Sequence, residues 1–202
     1  MTLSELRTAT LKWATRASVP DFGSIVKLTE ADMNNVLRVR RMLATSSIGF
    51  SGTRGTLPND FLDLSSIDLG LKEVDEELNF VPPNRFAAVA SSYTGYQPSI
   101  FSLEGNSLLI APAPSGSVDI KYFAEVTPLV NDDDTNAVLE HHFDIYFTGV
   151  LVHMFSYMRN DEEVMRYMNQ FANAVTRAND RDTAAKIGMG SGMPTGFTVD
   201  VV

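Results

Sequence analysis

The sequence predicts an α+β protein: a helical bundle formed by the N- and C-terminal helices, with a small, mostly antiparallel β-domain inserted between the second and third helices. Three observations carry that expectation. Apolar residues recur at three-four spacing near both ends of the chain, as one face of an α-helix requires. The middle alternates apolar and polar residues between Gly- and Pro-containing turns, as half-buried strands do. The 202 residues are 44% hydrophobic, enough for a sizeable core. The expected boundaries are 1–45 and 132–187 for the bundle, 46–131 for the inserted β-domain and 188–202 for a flexible C-terminal tail.

The first helix is expected to open at Thr2, because Thr2 and Glu5 have the spacing of a capping box. Leu3, Leu6, Thr10 and Trp13 or Ala14 then share a face, and Pro20 ends the segment. The second helix is expected between about Asp21 and Ala44, on Ile25, Leu28, Val36, Val39 and Leu43, with Asp32 as a polar intruder. Thr29 or Asp32 could cap a later start. From Ser46 to Gly55 the chain is rich in Ser, Thr and Gly, which disfavours helix. Leu62, Leu64, Ile67, Leu69 and Leu71 alternate except for a slip at Ser65-Ser66, the mark of a β-bulge. After Val81-Pro82-Pro83, Asn84 to Ala90 reads as a short helix. Gly105-Asn106 reads as a hairpin turn and Ser115-Gly116 as a second turn, giving a three-stranded meander that ends in Val118, Ile120 and Tyr122.

An acidic loop over residues 131–136 leads into a third long helix over 139–159. That helix is apolar nearly all round, so it is expected in the middle of the bundle. Asn160 and Glu163 have cap spacing for a fourth helix, whose stripe is Val164, Met168, Phe171, Val175, Ala178, Asp182 and Ala185. Asp182 is the charge on that seam.

Composition excludes several function classes. There is no cysteine, hence no disulfide framework and no thiolate–metal chemistry. The formal net charge is −9, the opposite of what phosphate neutralisation requires. The first sixteen residues lack the apolar core of a signal peptide, and the most apolar run, 145–158, falls short of the roughly 20 residues a membrane span needs. The expectation is a soluble protein with no membrane partner.

Searching for catalytic constellations yields none. His141 and His142 are adjacent, so on a helix they point about 100° apart and do not chelate one ion readily. Asp132, Asp133 and Asp134 begin like a calcium loop, but Ala137 stands where the glycine belongs and Phe143 where the bidentate acid belongs. Three acids before a helix N-terminus suit the macrodipole instead. Gly188 to Met193 fails both the dinucleotide fingerprint and the nucleophile elbow, because Met193 and Met189 stand where glycines belong. Glu73, Asp75, Glu76 and Glu77 have no apolar cradle to raise a carboxyl pKa. The expectation is no enzyme activity, no cofactor and no metal. Arg38, Arg40 and Arg41 make a basic cluster without interleaved aromatic residues, which suits an acidic neighbour better than a base-stacking platform.

Four patterns run in a telling order: Leu57-Pro58 with Asp60-Phe61; Val81-Pro82-Pro83 with Phe86; the run from Leu108 to Pro114; and the apolar helix over 139–159. Together they resemble the head-to-tail adaptor proteins of tailed bacteriophages, over nearly the whole chain. The resemblance implies a virion structural protein of the neck, made in the host cytoplasm, that forms a twelvefold ring beneath the portal protein. It implies a downstream tail or nozzle protein as second partner, and genomic DNA passing through the ring without specific binding. The bundle would lie near the portal and the β-domain toward the tail. The C-terminal tail would reach along the portal through Met189, Met193, Phe197, Val199, Val201 and Val202. Arg38, Arg40 and Arg41 would face a neighbouring subunit, and Asp132, Asp133 and Asp134 would line the channel. The tail here is rich in Met and Gly where a more charged ending is expected. A stopper or completion protein of the same neck, a non-phage interaction module and a soluble enzyme are the competing readings. Copy number, a groove on a stable monomer and a convergent polar pocket would respectively distinguish them.

Overall fold

The computed structural model describes residues 1–15, 19, 21–69, 78–93, 95 and 97–190, with backbone alone for 186–190. It is mixed helix and sheet. In chain order the elements are α1 (Leu3–Trp13), α2 (Phe22–Val36), a 3-10 turn (Arg40–Met42), β1 (Leu43–Ser51), β2 (Arg54–Thr56), β3 (Phe61–Asp68), β4 (Asn79–Phe80), α3 (Pro83–Ala90), β5 (Ile100–Glu104), β6 (Ser107–Ala111), β7 (Ser117–Ala124), α4 (Ala137–His141), α5 (Phe143–Tyr157) and α6 (Asp161–Gly190). The chain divides into two compact units, Met1–Arg41 with Val126–Val202, and Met42–Glu125.

In the helical unit, α1 begins with the expected capping box. Glu5 N–H donates to the Thr2 hydroxyl, and Thr2 N–H donates to the Glu5 carboxylate at 2.9 Å. Leu3, Leu6, Thr10 and Ala14 are buried, while Trp13 is largely exposed and donates its indole N–H to the Tyr167 hydroxyl. Asp21 caps α2 from a left-handed backbone that Asp tolerates better than most residues. α2 stops at Val36, earlier than its apolar spacing suggests, and Leu37 is extended. Leu37 and Val39 are both fully buried, alternating as a strand does, so Val39 and Leu43 do not belong to α2.

The apolar block over 139–159 is not one helix. It breaks at His142, whose backbone lies outside the helical region, into α4 and α5. α5 is the buried centre, with Ile145, Tyr146, Val150, Leu151 and Met154 fully inaccessible. Each such aliphatic side chain contributes about 1.5–3 kcal/mol of burial. Gly149 lets two helices close on α5: a Cβ there would sit 2.6 Å from Thr29 Cγ2 of α2 and 3.1 Å from the Phe171 ring of α6. α5 ends in a Schellman motif on Arg159, with Asn160 N–H on Phe155 O and Arg159 N–H on Ser156 O. Asn160 then caps α6. On α6 the buried seam runs through Tyr167, Ala174, Val175, Ala178 and Asp182. Met168 is exposed and Tyr167 takes its place, because Tyr167 stacks on Phe155 at 5.3 Å. The helix continues through Gly190, so residues 188–190 are helical and not tail.

The β unit is a seven-stranded sheet in the order β3-β7-β1-β2-β6-β5-β4. All pairs are antiparallel except β4 with β5. The Gly105-Asn106 hairpin joins β5 to β6 as expected. The three-stranded meander does not form, because β7 pairs with β1 and β3 while β6 pairs with β2 and β5. Three strands are additional to those expected, β1, β2 and β4, and the longest of them, β1, lies in the Ser-, Thr- and Gly-rich stretch. Its inward row is Ala44, Ser46, Ile48 and Phe50, only partly apolar, which hides the alternation. The slip at Ser65-Ser66 coincides with a register shift between Leu64 and Ser66 in β3. β6 is buried on both faces: Leu108 and Ile110 pack with Ile48, Val118 and Ile120, while Leu109 and Ala111 pack with Phe86 of α3. That explains its unbroken apolar run.

Replacing Gly149 by Ala is expected to lower the melting temperature. Alanine gains about 1 kcal/mol of helix propensity over glycine, but overpacking against Thr29 and Phe171 costs about 1–3 kcal/mol. Thermal denaturation followed by circular dichroism checks this; a raised midpoint would show that α2 or α6 yields to the extra methyl.

Candidate functional site

Four side chains of the helical unit hold the two stretches by which the chain leaves it and returns. On the way out, Arg38 N–H donates to Asn179 Oδ1 at 2.9 Å and Arg40 N–H donates to Asp182 Oδ2. The Asn179 amide also donates to Val36 O, taking up a carbonyl at the end of α2. On the way back, Val126 N–H donates to Asn34 Oδ1 and Leu129 N–H donates to Glu30 Oε1, both at 2.9 Å. Asn34 and Glu30 are one turn apart on α2, and Asn179 and Asp182 are three residues apart on α6, so each pair presents its acceptors from one helix face.

The return stretch is further fixed by a buried polar network. Tyr146 of α5 donates its hydroxyl to Glu30 Oε1 at 3.1 Å and accepts from Asn136 Nδ2 at 2.7 Å. Asn136 also donates to Thr127 O and caps α4 by accepting from Leu139 N–H. Burial pushes the Glu30 carboxyl above the ordinary carboxylate range, against the opposing effect of its hydrogen bonds from Leu129 and Tyr146. Burial first, and the Glu30 charge second, push the Tyr146 hydroxyl far above its ordinary value, so it remains a neutral donor. This arrangement positions backbone; it does not activate a nucleophile.

The acidic loop serves a different helix from the one its position suggests. Asn136, not the Asp run, caps α4. The carbonyls of Asp134 and Asp132 accept the first two amides of α1, from Leu3 and Ser4, each at 3.0 Å. Asp132 pairs with Arg7 at 2.8 Å, and the Arg7 guanidinium lies over the Phe22 ring. The Asp134 carboxylate takes the Asn131 and Val130 amides, which hold its pKa below the usual range. Asp133 is exposed.

The arginines divide in the same way. Arg40 pairs with Asp182, which accounts for the charge on the α6 seam. Arg38 donates to the carbonyls of Asn34 and Leu37 at the C-terminal end of α2, where the macrodipole favours a cation. Arg41 is exposed. His142, at the break between α4 and α5, is held below its ordinary pKa chiefly by burial, while Asp144 and Asp182 oppose the shift. His153 contacts Asp32 of α2 at 2.9 Å, which gives that polar intruder its partner. Met193, Phe197, Val199, Val201, Val202 and the Glu73–Glu77 acids lie outside the described residues, and Met189 falls on the backbone-only end of α6. Among the described residues no His, Asp and Glu side chains converge as a metal site, and no helix is long and apolar enough to cross a membrane.

The family model described as SU10 adaptor protein matches residues 1–192. The chain belongs to that family. No curated protein matches it. Membership makes it a phage adaptor-family protein, a structural part that works by contacting other phage head and tail proteins. The side chains that organise the helical unit suit that class: they are acceptors for backbone amides and not a reactive constellation.

Sequence reasoning missed Glu30, Asn34, Asn136, Tyr146 and Asn179. The available signals were faint: an Asn pair, Asn34-Asn35, near a helix end, and Tyr146 within a mostly apolar helix.

Because Glu30 is raised in the folded protein, the folded state binds this proton more tightly than the unfolded chain. Its stabilising contribution is complete below the unfolded carboxyl value, ~4.3, and is lost as pH rises through the folded value. Glu30→Gln is therefore expected to gain stability relative to the parent as pH rises from acid toward neutral. Urea denaturation of both proteins across that range checks it; a difference that does not change with pH would mean that Glu30 is not held in a raised state.

Proposed function

We propose that this protein is the head-to-tail adaptor of a tailed phage. A ring of about twelve copies docks beneath the portal protein, joins it to the next tail or nozzle component and surrounds the DNA channel of the virion neck. The observation that carries the reading is the adaptor-family match, which runs from residue 1 to residue 192 and so takes in both units. The helical unit is the ring's frame. The apolar residues beyond the end of α6, Met193, Phe197, Val199, Val201 and Val202, with Met189, contact the portal.

The channel wall is acidic or neutral. Each neutralised phosphate would steepen salt-dependent DNA binding by roughly 0.9 log units per log unit of salt, and DNA must slide for ejection. Asp132 and Asp134 are already engaged within the helical unit, however. That makes their loop a better candidate for a protein contact than for the wall.

Mixing the purified chain with its portal ring and imaging the product tests the reading. A ring seated on the portal is expected, with the free chain sedimenting as monomer or weak oligomer because copies at −9 repel one another. Deleting residues 191–202 is expected to leave the melting temperature unchanged and abolish docking. Docking of the truncated chain at full affinity would assign the portal contact elsewhere.

A further inference from the structure

Two exposed apolar features of the helical unit are held rigidly at opposite ends of α1. The first is an aromatic shelf at its C-terminal end. Trp13, the chain's single tryptophan, is 61% exposed, yet it donates its indole N–H to the Tyr167 hydroxyl and meets the Phe147 ring edge-on at 5.8 Å. Phe147 in turn packs on Phe143 at 5.4 Å, and both are only half-buried. These contacts join side chains of α1, α5 and α6 into one surface. The second feature is the return loop at the N-terminal end of α1. Val130 is 70% exposed there, the most of any large apolar side chain among the described residues. Its loop is fixed by three consecutive amides: Leu129 N–H donates to Glu30, and Val130 and Asn131 N–H donate to the Asp134 carboxylate. The Asp134 carbonyl accepts Leu3 N–H, which ties the loop to α1. Lone exposed apolar residues need no explanation. Exposed side chains on so firmly held a framework lose little freedom when a partner covers them, as a preorganised contact requires.

We propose that the Val130 loop of one copy seats on the Trp13 shelf of the next. This contact rests on the ring reading above and gives that ring its seam. The loop meets α1 at Leu3 and the shelf lies ten residues on, about 15 Å along the helix, so a copy does not cover its own shelf with its own loop. A closed ring is built from such heterologous contacts, in which each copy offers two different patches. Charge complementarity favours a second copy as the occupant. Lys12, next to Trp13, is exposed and has no ion pair among the described residues. The acids around the shelf are engaged: Glu163 with Arg166, Asp144 with Arg177, and Glu5 with the Thr2 amide. Asp161 and Glu162 precede Tyr167 by six and five residues, so they point about 120° or more away from it around α6. On the loop, Asp132 is paired with Arg7 and the Asp134 carboxylate holds amides, which leaves exposed Asp133 for a neighbour's Lys12. An opposite-charge pair at the rim fixes register more than it adds affinity. The apolar centre is Val130 against the aromatic rings, with Trp13 as the anchor. The proposal moves Asp133 from the channel wall to the seam between subunits.

The chain has no cysteine, so engineered thiols report the contact cleanly. Ala9 lies one turn before Trp13 on α1, in a shallow depression that Lys12 also lines. Two full-length single variants, Ala9→Cys and Val130→Cys, are mixed on the portal ring under mild oxidation. Disulfide-linked dimers are expected from the mixture and not from either variant alone. Adding Lys12→Glu to the first variant is expected to reduce the linked dimer, and adding Asp133→Lys to the second is expected to restore it. Trp13→Ala, checked for folding by circular dichroism, is expected to weaken ring assembly about thirtyfold, as loss of a central anchor does. Rings that assemble without any linkage would overturn this interface while leaving the adaptor reading intact. Linkage of either variant with itself would also overturn it, by showing a two-fold contact. If neither rings nor linked dimers form on the portal, both the interface and the adaptor reading fail.

Discussion

The helical unit depends on side chains that accept backbone amides of the segments crossing out of it and back. A helical unit assembled from the two ends of a chain has a problem that a continuous one lacks. The segment between its halves must leave and return, and at those points main-chain N–H groups would be buried without a regular partner. Leaving such a donor unpaired costs about 1–3 kcal/mol. Here Asn179 and Asp182 take the outgoing amides of Arg38 and Arg40, while Asn34 and Glu30 take the returning amides of Val126 and Leu129. Glu30 is the costly member. Its buried carboxyl is supported by Tyr146, which is held in turn by Asn136, and Asn136 also caps α4. One network thus ties α2, the return stretch, α4 and α5 together.

Around that network the packing is tight because α5 has a glycine where α2 and α6 approach. The acidic loop completes the assembly by capping α1 with its carbonyls, so the N-terminus of the chain is fastened by residues more than a hundred positions away. These are the properties of a rigid part. They agree with membership of a phage adaptor family, whose members contact other phage head and tail proteins.

Much of this was legible in the sequence wherever one local rule decided the outcome. The capping box at Thr2 and Glu5, the Gly105-Asn106 hairpin, the slip in β3 and the short helix after Pro82-Pro83 each follow from a few neighbouring residues. The errors fall where tertiary contacts override local spacing. Val39 and Leu43 continue the periodicity of α2, yet the chain turns extended at Leu37, where acceptors on α6 take the amides of Arg38 and Arg40. β1 was hidden because Ser46 sits in its inward row. Strand order could not be read from turns alone: β7 crosses from the end of β6 to lie between β1 and β3. Asp182 stood out in the sequence as a charge on an apolar seam, but its partner, a backbone amide about 140 residues away, leaves no local trace.

Everything above depends on the crossing segments being fixed to the helical unit. Native-state hydrogen exchange of the Arg38, Arg40, Val126 and Leu129 amides tests it most directly. If the four side-chain acceptors hold them, these amides exchange only through the opening that also releases the α5 core around Tyr146 and Val150. Exchange as fast as that of the exposed loop amide of Asp133 would contradict the account, because the segments would then be loose connections and the buried Glu30 network would have no structural purpose.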